Sequence, residues 1–285
     1  MLSGYKYIDC LKHVSVRDIL DQQYLYDDSV APLGKILKTL KNAPTAAYLI
    51  DEVISYDFKI AVDDSLSWDE SGFEKSTSTI LVPKFSESDL KTAKHAGRLL
   101  ATMASGLRRA LKANQGHFEC FDLKPLDFMR LSRVVEADID AVTVQICWEL
   151  RTAGDASAWR QMLAGDNGDI AVVFANAMKT YPMGQFNGKA LRAAFRQWFA
   201  DITRTDDADH MALEFLDMAL AYHDQYDMTA DRDMDENDMR KIQKNLPFPS
   251  YLQDMNIRSK WFDGLKDPFN QVHLHHILDE MKTLR

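Results

Sequence analysis

The chain has 285 residues, of which 46% are hydrophobic and 27% charged, with few glycines and prolines (12 and 8). That balance suits a folded protein, either one large domain or one domain with an appendage, and excludes a disordered chain. A net charge of −9, with no compact Lys/Arg run to offset it, argues against nucleic acid and against an anionic membrane surface as partners.

Met1 to Tyr7 show neither the apolar stretch nor the small-residue cleavage site of a secretory signal. No run approaches the roughly 18 apolar residues of a membrane span. Cys10, Cys120 and Cys147 are irregularly spaced and suit free thiols in a reducing compartment, so the expected location is cytoplasmic.

Helical spacing runs from Val16 to Tyr26 and from Pro32 to Lys41, with Pro44 as a stop. Residues 46–50, 58–63 and 78–83 read as short strands, the last closed by Pro83, and a polar loop from Asp63 to Lys75 separates the second from the third. From Ser86 the pattern turns helical. Ser86 and Asp89 form a weak capping box, and Leu90, Ala93, Leu100, Met103, Leu107 and Leu111 recur at helical spacing until Asn114-Gln115-Gly116. Pro125 opens a second long helix carrying Phe128, Leu131, Val135, Ile139, Val142 and Ile146. Further helices are expected at 155–163, 169–180, 189–203, 208–222 and 272–284, with an acidic loop beyond Asp227.

A few strands, a long apolar helix and a helical remainder define an α+β chain that is mostly α-helical. Within it, Leu99 to Gln115 and Pro125 to Leu150 carry a recognisable set of residues. These are the Leu100-Ala101-Thr102-Met103-Ala104 helix entry, the Leu107-Arg108 pair, the Asn114-Gln115-Gly116 exit and Arg133-x-x-Glu136-Ala137-Asp138. Glu149-Leu150 and Gly154-x-x-x-x-Trp159 follow. On these segments the chain resembles an uncharacterised bacterial domain family described as metallopeptidases of the zincin type, over roughly residues 45 to 225. The resemblance implies a zincin-like domain at 45–225 with a small N-terminal sheet and long packed helices. It leaves 1–44 as an N-terminal helical extension and 226–285 as an acidic loop and tail helix packing back on the domain. It also implies a substrate groove along an edge strand, here the strand ending at Pro83.

In H-E-x-x-H peptidases two histidines one helical turn apart hold zinc and the glutamate between them acts as general base. The resemblance places those roles on positions 105, 109 and 106, with Glu136 as third ligand. The chain has Ser105, Arg109 and Gly106 there. A neutral hydroxyl is a poor zinc donor, a fixed cation repels the ion, and glycine has no group to accept a proton. The expectation is a catalytically inactive metallopeptidase-like protein with no catalytic residue, no metal and no cofactor, acting on a protein or peptide partner. Arg133, Asp138 and Asp140 are candidate supporting residues. The alternative from another class is a metal-dependent hydrolase that draws its ion, zinc included, to Glu136, Asp140 and a histidine from the tail. Arg109 has two open placements: in the ion's position against Glu136, or in solvent beside Arg108 and Lys112.

Other constellations carry less. Asp231-x-Asp233-x-Asp235-x-Asn237 starts like a calcium loop, but Glu236 stands where the turn needs glycine and Ile242 where a bidentate glutamate belongs. His273, His275 and His276 fit a polar helix face, and His95, His117, His210 and His223 stand alone.

Overall fold

The structure, a computed structural model, describes residues 12–21, 31–222, 229–248, 251–252 and 264–284. β1 (Val14–Ser15) runs into α1 (Val16–Leu20), followed by α2 (Ala31–Leu40) and α3 (Pro44–Ser55). Then come β2 (Lys59–Asp63), β3 (Gly72–Glu74) and β4 (Thr79–Pro83). The strands form one sheet in the order β1-β2-β4-β3, with β2 parallel to β4 and both outer strands antiparallel to their neighbours. The remainder is helical: α4 (Glu87–Leu90), α5 (Ala93–Asn114), α6 (Pro125–Thr152), α7 (Ser157–Ala164) and α8 (Gly168–Thr180). α9 (Lys189–Trp198), α10 (Ile202–Ala221), α11 (Glu236–Ile242) and α12 (Pro268–Leu284) complete it. The architecture is mostly helical with a small sheet, an α+β arrangement.

Several boundaries differ from the sequence reading, each for a local reason. Residues 46–50 are helix, not strand: Pro44 starts α3 instead of stopping a helix, because proline is tolerated in a first turn whose N–H groups lack partners anyway. Ala46, Leu49, Ile50 and Val53 then fall on one buried face. The free Thr45 N–H and hydroxyl are taken up by the Glu149 carboxylate of α6 at 2.8 and 2.6 Å. The polar loop at 63–75 contains β3, a strand formed by pairing with β4 and not by its own apolar pattern. β4 therefore lies inside the sheet, and the outer strand on that side is β3, not the strand ending at Pro83.

The Ser86–Asp89 capping box is present but serves the single-turn α4; α5 begins afresh at Ala93, from an extended Thr92. The helix break expected after Thr203 falls instead at Phe199–Asp201, where the Asp201 side chain accepts from Thr203 N–H and caps α10. The acidic run also ends in a cap. Asp235 accepts from the N–H groups of Asn237 and Asp238, and Asp238 bonds back, starting an unexpected α11. α12 starts one turn early, at Pro268. Of the expected helix from Val16 to Tyr26, residues 22–26 lie outside the described residues, as do Cys10 and His223.

α5 and α6 form the centre. One hydrophobic cluster runs from Val14 to Ile277, and α6 contributes buried side chains on all sides. α5 also packs closely on α7. A Cβ at Gly97 would lie 2.4 Å from the Ser157 carbonyl oxygen, so only glycine permits that approach. Among the described residues no helix is long and apolar enough to cross a membrane. Gly97→Ala is expected to push α5 and α7 apart and to cost about 2–3 kcal/mol of stability, as overpacking does. Urea unfolding checks this, and a loss below about 0.5 kcal/mol would show that the contact yields freely.

Candidate functional site

Consecutive residues of α5 at the motif turn face three different environments. Gly106 faces the sheet: a Cβ there would stand 3.2 Å from Ser71 Cβ and 3.3 Å from Ile80 Cγ2. Ser105 and Arg109, one turn apart, share a half-buried face. Arg108 and Lys112 point inward and are fully buried.

Arg109 meets Glu136 of α6 in a two-pronged pair, Nη1 to Oε1 at 2.7 Å and Nη2 to Oε2 at 2.6 Å. Its side chain is 21% exposed and that of Glu136 17%. The guanidinium also lies 5.8 Å from the centre of the Phe118 ring. Burial works against its charge, but the Glu136 carboxylate and its hydrogen bonds more than compensate and raise the Arg109 pKa. Asp140, one turn beyond Glu136, accepts from Trp198 Nε1 at 2.9 Å. Burial and the nearby Glu136 charge push its carboxyl up to about 6.

Arg108 is not part of a solvent-facing basic cluster, nor is Lys112. Arg108 grips Asp138 of α6 with Nε at 2.7 Å and Nη2 at 3.0 Å, with no exposure on either side chain. Its remaining donors go to the carbonyls of Ile242, Lys244 and Asn245 at 2.9, 3.0 and 3.2 Å. Lys112 donates to the Ile242 carbonyl, and Tyr251 donates its hydroxyl hydrogen to Asp138. Burial alone would raise the Asp138 pKa, but the Arg108 and Lys112 charges hold it below the usual carboxylate range. The i, i+4 spacing of Arg108 and Lys112 on an otherwise apolar helix, with Asp138 on the next, was the available sequence signal for this network.

The candidate supporting residues therefore serve separate partners. Arg133 binds Asp209 of α10 at 2.6 and 2.5 Å and the Gly264 carbonyl at 3.1 Å. Asp138 binds Arg108, and Asp140 binds Trp198. The tail histidines line α12: His273 meets Asp217 at 2.5 Å, His275 Nδ1 lies 2.7 Å from the Gln271 carbonyl, and His276 is 3.6 Å from Glu280. The alternative metal set of Glu136, Asp140 and a tail histidine is thus not assembled. Among the described residues no group of three or more His, Cys, Asp or Glu side chains is placed to hold a metal.

The zinc site implied by the resemblance also fails on fit. Both Glu136 oxygens are engaged by the Arg109 guanidinium, a fixed cation that repels zinc and cannot ligate it, and Ser105 supplies only a hydroxyl. At Gly106 a larger side chain would need the Ser71 and Ile80 side chains, 3.2 and 3.3 Å from its Cβ, to give way.

Residues 19–240 match the model of a family described as "Putative metallopeptidase family". No curated protein matches the chain, and no solved structure does.

The two arginine pairs differ in burial and should differ in energy. Arg108→Leu strands Asp138 in the interior and is expected to cost about 3–5 kcal/mol. Arg109→Met, at a partly exposed site, is expected to cost about 1–2 kcal/mol, much of it recovered when Glu136→Gln is added. Denaturant unfolding of the single and double variants reads both numbers. Asp140 has the opposite sign. Its folded-state pKa is raised, so it stabilises the fold below its ordinary value near 4 and opposes it as pH rises through about 6. Asp140→Asn, which can still accept from Trp198, should gain on the order of 1–3 kcal/mol at neutral pH and nothing at about pH 3.

Proposed function

The chain belongs to the putative metallopeptidase family whose model covers residues 19–240, and we propose that it is a metal-free member that binds a protein or peptide instead of cleaving it. The observation that carries this reading is the Arg109–Glu136 pair. It lies across the α5–α6 crossing and joins the two positions that the zincin frame would give to the second histidine and the third ligand. A guanidinium supplies charge and two directed hydrogen bonds there, but no open coordination position to activate a water molecule.

Peptide binding needs neither ion nor base. Under this reading β3 receives the partner: it is an outer strand, and a strand edge offers backbone donors and acceptors to an extended chain. Of the acidic residues at 63–74, Asp63 is buried and Asp64 pairs with Lys84, and Asp69, Glu70 and Glu74 carry the negative charge near this edge. A partner with basic side chains suits that charge.

Two measurements test the reading. The purified protein should leave casein and a mixed peptide library intact, with or without added zinc. Chelator-sensitive hydrolysis would overturn the proposal. Ser105→His combined with Arg109→His places two imidazoles one turn apart beside Glu136 and is expected to create zinc binding that the parent chain lacks and that Glu136→Gln weakens at least tenfold. A parent chain whose own zinc binding falls with Glu136→Gln would show that Arg109 does not displace the ion.

A further inference from the structure

We infer that the segment from Glu236 to Phe248, with Tyr251 and Leu252, is a strap that acid releases from α5 and α6, with the buried His117 imidazole as the proton acceptor that drives release. Met239, Ile242, Tyr251 and Leu252 are the strap's buried hydrophobic residues, and Leu246 and Phe248 pack partly buried against the same core. Much of its attachment is polar. Arg108 and Lys112 of α5 hold the carbonyls at the end of α11, Asp138 of α6 receives the Tyr251 hydroxyl, and Arg192 of α9 donates to the Tyr251 carbonyl at 2.6 Å. An attachment that adds a buried ionised network to these apolar contacts can weaken when the protonation of that network changes.

His117 lies beneath this attachment, 3% exposed, just past the end of α5. Its Nε2 is 3.1 Å from Gln115 Oε1, and the same oxygen lies 3.5 Å from Lys112 Nζ, which donates to the Ile242 carbonyl at the end of α11. The charged groups around it are Lys112 and Arg108 on α5 and Asp138 on α6, with the Tyr251 hydroxyl on that same carboxylate. A proton on His117 would add a third cation to a closed site with one carboxylate. With the strap undocked, the imidazole would be charged in water at no such cost.

The sign follows from linkage. Burial, then the Lys112 and Arg108 charges, depress the docked His117 pKa to about 3, from the ordinary 6.5. Docking is therefore fully supported above about pH 6.5 and weakens as pH falls below it. Lys112 acts in the same sense, since burial and Arg108 hold its pKa well below the ordinary value. Asp138 does too, its pKa being lowered by the two cations. Tyr251 has a raised pKa and matters only on the alkaline side.

Amide hydrogen exchange on the full chain tests this, using protection factors corrected for the intrinsic rate at about pH 7.5 and about pH 5.5. Between these values His117 alone should raise the open fraction of the amides of residues 239–246 about tenfold. The amides of residues 139–146 in α6 should keep their protection. His117→Gln, neutral at both pH values, should lose that tenfold response. Tyr251→Phe should open the strap at both pH values while keeping the response. The inference is overturned by a pH response that is equal in the parent chain and His117→Gln. It is overturned equally by amides of α6 opening in parallel with the strap. If His117→Gln does not fold, the parent and Tyr251→Phe still decide: a strap equally protected at both pH values in each refutes the proposal.

Discussion

The Arg108–Asp138 pair fixes how the two central helices cross. Both side chains are fully buried, so the charges survive only because their hydrogen-bonding capacity is used. Arg108 spends two donors on Asp138 and the rest on three carbonyls of the strap; Asp138 in turn accepts from Tyr251. A shift of α5 along α6 by one residue would leave several of these groups unpaired in a dry interior. The neighbouring Arg109–Glu136 pair sits on the same crossing, one residue on in α5 and two back in α6, and adds a second planar fork at the half-buried surface.

α6 distributes this kind of specification over its length. Arg133 is tied to α10 through Asp209, Glu136 and Asp138 to α5, Asp140 to α9 through Trp198, and Glu149 to the start of α3 through Thr45. Apolar contacts around a long buried helix define its neighbours only loosely, whereas each directed polar pair admits one geometry. These pairs carry a cost. The Asp140 and Glu149 carboxyls are both shifted upward by burial, with no guanidinium or ammonium as their hydrogen-bond partner. Polar positions that lower stability while fixing geometry are a common compromise in helical cores.

The same layout links the motif turn to the C-terminal segment. Arg108 adjoins Arg109, and Asp138 lies two residues from Glu136, so the side chains that hold the strap and those that form the surface pair share a rigid frame. Under the reading proposed above, a peptide bound along β3 would lie beside a helix turn whose opposite face supports the strap.

The sequence by itself determined the long apolar helices, the strands at 59–63 and 79–83, and that Ser105, Gly106 and Arg109 offer neither a good zinc donor nor a carboxylate base. Each follows from side-chain periodicity or from the donor chemistry of a single residue. The sequence misassigned 46–50 because a short apolar run fits strand and helix alike, and the choice depended on Glu149, a hundred residues away, meeting the first turn of α3. β3 was hidden because its stability comes from pairing with β4. Arg108 and Lys112 read as a solvated basic face, since charge alone does not tell an exposed arginine from one with a buried partner. Only the tertiary structure brings Asp138, Tyr251 and three backbone carbonyls to the same point, and that convergence makes the burial of two cations possible.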